Sequence, residues 1–460
     1  MNVPNTNRWC RYLAVACGVL GGLLSAVMPG PASAAAVPSA APPAGDLWAT
    51  FGHNQAHSGT SSDTAIAAST APGLAKRWSA SLNSTIAQPS PAVAYSAKLS
   101  ETLVYDVTYT GVVSAFSAAT GALVWHRSVG SNVASSPAVY HGTVYFGTIN
   151  GTLEALNAAT GAVRCTFTLP VIAPATKPGR LISSPVVGSV DGTGPTVFIG
   201  DAGTQESSNG GHFWAITGAG NTAGGCQRKW MYNNWPNKGA TGTLTGVWDE
   251  PALAQNSGGA WEVVFGTSNP DQSVYALSAV KGSRLWRFHT LNNGPDEDVG
   301  AGPTIGLPGS NGFGDGVVYI DGKDGIEYAL DLRTGKKFWS FTLGPGTGAA
   351  NGVSEAALTG NTLVVCYAAT VFALNATTGA MIWKATPGGT IHASPAVSGP
   401  SADRVLFVGD LNGIEYGLNM QTGARVFAAV TSGKFEASAA VAAGRLYFTS
   451  GGTFYAYAPS

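Results

Sequence analysis

Residues 135–165 read SSPAVYHGTVYFGTINGTLEALNAATGAVRC. Short alternating apolar runs are separated here by the turn dipeptides His141-Gly142 and Asn150-Gly151, the pattern of antiparallel hairpins. The same line recurs as GVVSAFSAATGALVW (111–125), SVYALSAVKGSRLW (273–286), GIEYALDLRTGKKFW (325–339), TVFALNATTGAMIW (370–383) and GIEYGLNMQTGARVF (413–427). Its terminal position falls at Trp125, Cys165, Trp230, Trp286, Trp339, Trp383 and Phe427, at intervals of 40 to 65 residues, enough for one four-stranded unit each. No helical period survives a window of a dozen residues.

A lone sheet of this size leaves its faces wet, so the units must stack, and radial stacking gives a propeller. The last unit, EASAAVAAGRLYFTSGGTFYAYAPS, ends without its Thr-Gly-x-x-x-Trp edge, while LAKRWSASL around Trp78 has fourth-strand character and no unit of its own. Counting Trp78 with the other seven predicts an all-β, eight-bladed β-propeller of four-stranded antiparallel blades, closed by one strand from the N-terminal side. Closure leaves no open sheet edge. The recurring Trp reads as a rigid side chain packed between blades, and the Gly of each Thr-Gly pair as a turn residue needing positive φ.

Charged residues make up 11% of the 460-residue chain, well under half the roughly 25% usual for soluble domains. With 24 Lys+Arg against 25 Asp+Glu, electrostatic capture of nucleic acid is disfavoured. Arg8 and Arg11 precede an apolar run from Leu13 to Met28 and the triplet Ala32-Ser33-Ala34, which reads as a secretory signal peptide over residues 1–34. Residues 35–46, AAVPSAAPPAGD, read as a flexible linker, leaving 47–460 as the propeller domain. The mature chain is expected to be secreted or extracytoplasmic, monomeric and without a membrane span. Three cysteines remain after cleavage, and in an oxidising compartment they predict one bridge, Cys165 with Cys226, and Cys366 as the spare. That pair is chosen because the two are read as equivalent repeat edges in neighbouring units. No Cys-x-x-Cys-His is present for covalent haem.

Repeats of the form YALDxxTGxxxW across eight blades resemble the pyrroloquinoline quinone (PQQ) propeller superfamily, which includes quinoprotein alcohol dehydrogenases and non-catalytic propellers that bind no quinone. The resemblance covers roughly residues 47–460 through repeat counting. In the enzymes PQQ lies on an aromatic floor beneath a vicinal disulfide, and Ca²⁺, held by hard oxygen ligands, polarises the quinone. VWDEPALAQNSGGAWEVVFGTSN supplies Trp248 as the floor and Asn269 as a metal ligand. TLNNGPDEDVGAGP offers Asp296 or Asp298 as the base, and GKDGIEYALD offers Lys323 as the cation beside the quinone. GDAGTQE places Gln205 at the family's metal-binding Glu, with Glu206 one residue later. Ser135-Ser136 stand where the enzymes carry adjacent cysteines. His53 and His57 in FGHNQAH lie in a segment similar to the family's FGHD line, which packs against the ring.

The resemblance implies PQQ and Ca²⁺ as cofactors, oxidation of a small alcohol or sugar, and an external electron acceptor. The same repeats equally suit a scaffold that presents its rim to a protein or a cell-surface polymer. Convergence of Trp248, Asn269, Asp298 and Lys323 on one central cavity is the feature that separates the two.

Overall fold

The computed structural model describes residues 47–82, 84, 89–172, 175–203, 211–233, 246–269, 271–291, 298–346 and 353–460. The expected signal peptide and linker lie outside the described residues. Among those described, no helix is long and apolar enough to cross a membrane.

Among the described residues, thirty-two strands form eight four-stranded antiparallel sheets. Seven sheets are built from consecutive strands, for example Ala138–Tyr140, Thr143–Gly147, Thr152–Asn157 and Val163–Thr168. The eighth takes Ala440–Ala442, Arg445–Ser450 and Thr453–Pro459 from the C-terminal end, and Leu74–Ser81 from the other end completes it. The first strand of each sheet touches the first strand of the sheets on both sides, and these contacts close an eight-membered circle. The fold is therefore the eight-bladed propeller that the repeats predict.

The terminal repeat position joins the blades. At six junctions an indole N–H donates to a carbonyl of the next blade: Trp78 to Ala118, Trp125 to Ala158, Trp230 to Ala279, Trp286 to Leu332, Trp339 to Ala376 and Trp383 to Met420, at 2.8–3.2 Å. The glycine of that next blade's Thr-Gly or Lys-Gly turn lies flat on the same ring. A Cβ on Gly335 would sit 2.6 Å from Trp286, and one on Gly161 2.5 Å from Trp125. These glycines are needed for this close approach as much as for their positive φ.

The two remaining junctions differ. Phe427 meets Tyr457 of the closing blade, with ring centroids 5.8 Å apart. Cys165 is bonded to Cys226, with Cα atoms 5.8 Å apart. The two cysteines do not hold equivalent edges. Cys165 holds the tryptophan position of its own blade, whereas Cys226 holds the glycine position of the next. Its φ is +54°, and its N–H donates to Thr217 O as Gly161 N–H does to Asn157 O. A covalent bond has replaced a ring-on-glycine contact at the same two places.

Residues 48–59 run around the inner strands as a strap. The N–H groups of Val93, Val139, Leu253, Ile305, Leu358 and Val397, one from each of six blades, donate to Trp48, Ala49, Gln55, Ala56, Ser58 and Gly59 carbonyls in chain order, at 2.6–2.8 Å. Gln55 Nε2 reaches Val187 O of a seventh blade at 2.7 Å. The FGHNQAH segment thus seals backbone groups that the inner strands would otherwise leave unpaired.

Candidate functional site

Eight residues, each two positions before an inner strand, form a belt around the ring axis: Ser90, Ser136, Ser184, Glu250, Gly302, Glu355, Ser394 and Ser438. The serine N–H groups donate to the next serine hydroxyl around the belt: Ser394 to Ser438, Ser438 to Ser90, Ser90 to Ser136 and Ser136 to Ser184, at 2.8–2.9 Å. Ser184 Oγ donates to Glu250 Oε1 at 3.0 Å, and Glu355 N–H donates to Ser394 Oγ at 2.9 Å. Ser135 sits behind the belt, where its hydroxyl accepts the Gly147 N–H at 3.0 Å. Ser183 repeats that bond with Gly200 at 3.3 Å. Ser135 and Ser136 are thus placed as parts of the repeat.

Gly302 opens a notch in the belt. A Cβ there would lie 1.9 Å from Glu355 Oε1, so the glutamate carboxylate fills the space of the missing side chain. His57 Nδ1 of the strap hydrogen-bonds the same oxygen at 3.0 Å. Burial holds His57 down at about 4, opposed by the nearby Glu250 charge, so at neutral pH the imidazole is uncharged. Burial and the Glu355 charge push Glu250 up to about 8, and burial pushes Glu355 well above the usual carboxylate range. Asp249 is raised by burial too, although its carboxylate accepts the Gly266 N–H. Three carboxyl groups therefore crowd one arc of the hub, and the protons they retain limit their mutual repulsion.

Beside this arc, four of the residues expected at a quinone site come together. Trp248 packs over Gly300, where a Cβ would lie 2.4 Å from the indole, and Lys323 Nζ stands 5.6 Å from the Trp248 ring centroid. Lys323, wholly buried, donates to Asp298 Oδ2 at 2.8 Å, and the Asn269 N–H donates to Asp298 Oδ1 at 2.6 Å. Asn269 Oδ1 accepts from Gln272 Nε2 at 3.0 Å. Glu206 and Asp296 lie outside the described residues.

This network tests the fit to PQQ and calcium. Ca²⁺ takes six to eight oxygens at about 2.3–2.6 Å. Here both Asp298 oxygens and the Asn269 amide oxygen already accept hydrogen bonds, and an ammonium group stands 2.8 Å from the carboxylate. Among the described residues no group of three His, Cys, Asp or Glu could hold a metal ion. The aromatic surface and the cation of a quinone site are in place. An oxygen set open to calcium is not, among the described residues.

A cavity of about 120 Å³ opens at the hub. The belt serines Ser90, Ser136, Ser394 and Ser438 line it, with Phe51 of the strap, Trp248, Glu250 and Glu436. Sites for drug-sized ligands run to roughly 300–1,000 Å³, so this one suits a much smaller molecule. Glu250 and Glu355 were not singled out as candidates in the sequence. Aligning the eight copies of Ser-Pro-Ala-Val would have found them, because Asp249-Glu250-Pro251-Ala252 and Ser354-Glu355-Ala356-Ala357 put carboxylates where five copies have serine.

Residues 43–217 and 322–402 match the family model described as outer membrane protein assembly factor BamB. The dehydrogenase subunit of the quinone-dependent alcohol dehydrogenase of Gluconobacter oxydans is 26% identical over 318 residues, 56% of this chain and 41% of that protein. Its counterpart from Gluconacetobacter polyoxogenes is 24% identical over 308 residues, 54% of this chain and 40% of the other. The chain thus spans about two fifths of the length of the curated relatives it matches. In fold it is similar to the quinohemoprotein alcohol dehydrogenase of Comamonas testosteroni, with a TM-score of 0.72 at 15% identity over 90% of this chain and 80% of that one. It is also similar to BamB of Moraxella catarrhalis, with a TM-score of 0.61 at 19% identity over 84% of this chain and 99% of that one. With the eight repeats, the closed ring and a family match over more than half its length, the chain belongs to the PQQ-repeat β-propeller family typified by BamB.

Proposed function

We propose that this protein is an extracytoplasmic, non-catalytic propeller of the PQQ-repeat family, a scaffold that binds a protein or a cell-surface polymer. One observation carries the reading: the residues at the quinoprotein positions satisfy one another. Lys323 is held by Asp298, Asp298 by Asn269 N–H, and the Asn269 amide by Gln272. A quinone carboxylate or a calcium ion would have to break bonds between buried groups, each costly to leave unpaired. The Cys165–Cys226 bridge and the N-terminal Arg-flanked apolar run support an oxidising, extracytoplasmic setting.

The convergence of Trp248, Asn269, Asp298 and Lys323 favours a second reading, a quinoprotein dehydrogenase. It would oxidise an alcohol or sugar, with Asp296 or Asp298 as base, Asn269 and Glu206 on calcium, Trp248, Lys323, Ser135 and Ser136 around PQQ, and an external electron acceptor. Titration of the folded protein with PQQ and Ca²⁺ decides between them. The scaffold reading expects no bound quinone absorbance and no dye-linked oxidation of alcohols or sugars. A stoichiometric chromophore with turnover would reject it.

A further inference from the structure

The hub cavity has the chemistry of a cation site. Its lining combines the aromatic side chains Phe51 and Trp248 with the carboxyl groups of Glu250 and Glu436 and the imidazole of His392, and among the described residues no Lys or Arg lines it. Behind Glu250 stand Asp249 and Glu355, both buried, and Asp249 Oδ1 and Glu355 Oε2 have no hydrogen-bond partner. Two imidazoles stand at this arc, that of His57, bonded to Glu355, and that of His392, which lines the cavity. The buried ammonium of Lys323, 5.6 Å from the Trp248 ring centroid, is already bonded to Asp298. Burial keeps protons on these carboxyl groups, and a cation bound in the cavity would replace the proton of Glu250 as the counter-ion of its carboxylate.

We propose that the hub cavity binds a small organic ammonium ion, held between the Trp248 and Phe51 rings and the Glu250 carboxylate. Its lining favours such a ligand over a metal. Aromatic faces attract poorly hydrated organic cations, whereas a divalent ion needs a set of hard oxygens that the described residues do not assemble. Ser184 Oγ, 3.0 Å from Glu250 Oε1, fixes that carboxylate in place. Ser90, Ser136, Ser394 and Ser438 already accept a backbone N–H and keep a hydroxyl proton and a second lone pair for a polar substituent. A volume of about 120 Å³ limits the ligand to a handful of heavy atoms. The inference rests on reading the hub as a binding site without redox chemistry.

Calorimetric titration of the full chain with choline and with tetramethylammonium tests it. Three comparison ligands share the experiment: 3,3-dimethylbutanol, the uncharged isostere of choline; CaCl₂; and PQQ with Ca²⁺. Saturable binding of the ammonium ions, loss of at least roughly tenfold with the uncharged isostere, and a similar loss in Glu250→Gln support the proposal. Trp248→Leu should weaken tetramethylammonium while leaving the circular dichroism and denaturation midpoint of the ring close to wild type, which separates a lost contact from a lost fold. Binding of the neutral isostere as tightly as choline, binding of calcium alone, or no binding by a folded protein would each overturn it. Binding of PQQ with alcohol turnover would instead reject the scaffold reading, so the two failures are distinct.

Discussion

Replacing Cys165 by Trp together with Cys226 by Gly should rebuild at the second junction the contact that six other junctions already use. The bridge closes a loop with a sequence separation of 61 residues. Chain entropy alone assigns such a loop about 4 kcal/mol, with measured bridges commonly giving about 2–4 kcal/mol. A buried tryptophan removed to alanine costs about 3–5 kcal/mol, so a restored indole has the right size to compensate. The glycine is essential to the swap. At the equivalent docks a Cβ would lie 2.5–2.8 Å from the ring, and the Cys226 position has φ of +54°. Cys165→Trp with Cys226→Ala should therefore fall below Cys165→Trp with Cys226→Gly by about 1–3 kcal/mol from overpacking. Urea denaturation of each variant, with and without reductant, reads these differences. Wild type should lose about 2–4 kcal/mol in reductant, and the Trp/Gly variant should be indifferent to it. The reasoning fails if wild type is unmoved by reductant once thiol labelling shows the bridge open, or if the Trp/Gly variant is no more stable than Cys165→Ala with Cys226→Gly.

Gly335→Ala should destabilise by about 2–4 kcal/mol, since its Cβ would press on Trp286 at 2.6 Å in a backbone with φ of +70°, and loss of the Trp286 fluorescence environment should accompany the fall. Lys323→Met should cost about 3–5 kcal/mol by leaving Asp298 buried without its ammonium partner, and adding Asp298→Asn should recover a large part; equal instability of single and double variants would refute the pairing. Stability should decline as pH rises from the ordinary carboxylate range through about 8. Glu250 sits at about 8 when folded, and Glu355, Asp321 and Glu327 are also raised, so the folded state binds more protons than the unfolded one across that window. Glu250→Gln should flatten the slope, and stability that climbed from pH 5 to pH 8 would contradict the sign.

The architecture was legible because it is periodic. Each copy of the Thr-Gly-x-x-x-Trp line marks one outer strand, and Trp78, stranded before the first full copy, marked the strand that closes the ring. Counting cysteines gives one bridge, and the choice of Cys165 with Cys226 rests on equivalent repeat edges; the pair is the bonded one, but its two positions are not equivalent. One replaces a tryptophan and the other the glycine beneath a tryptophan, a relation visible only when two blades are seen face to face. Trp248, Asn269, Asp298 and Lys323 were found by their resemblance to a family pattern, and they do meet. Their meeting is consumed by bonds among themselves, which spacing along a chain does not encode.

Local sequence determined the strands, the turns and the number of sheets, because those depend on side-chain alternation and on residues tolerant of positive φ within a few positions of each other. The hub was decided only by closure. Glu250 and Glu355 are 105 residues apart with Gly302 midway between them, and His57 lies 298 residues before Glu355. They become neighbours because eight inner strands converge on one axis, where burial strips water from their carboxyl groups and makes each one's charge depend on the others.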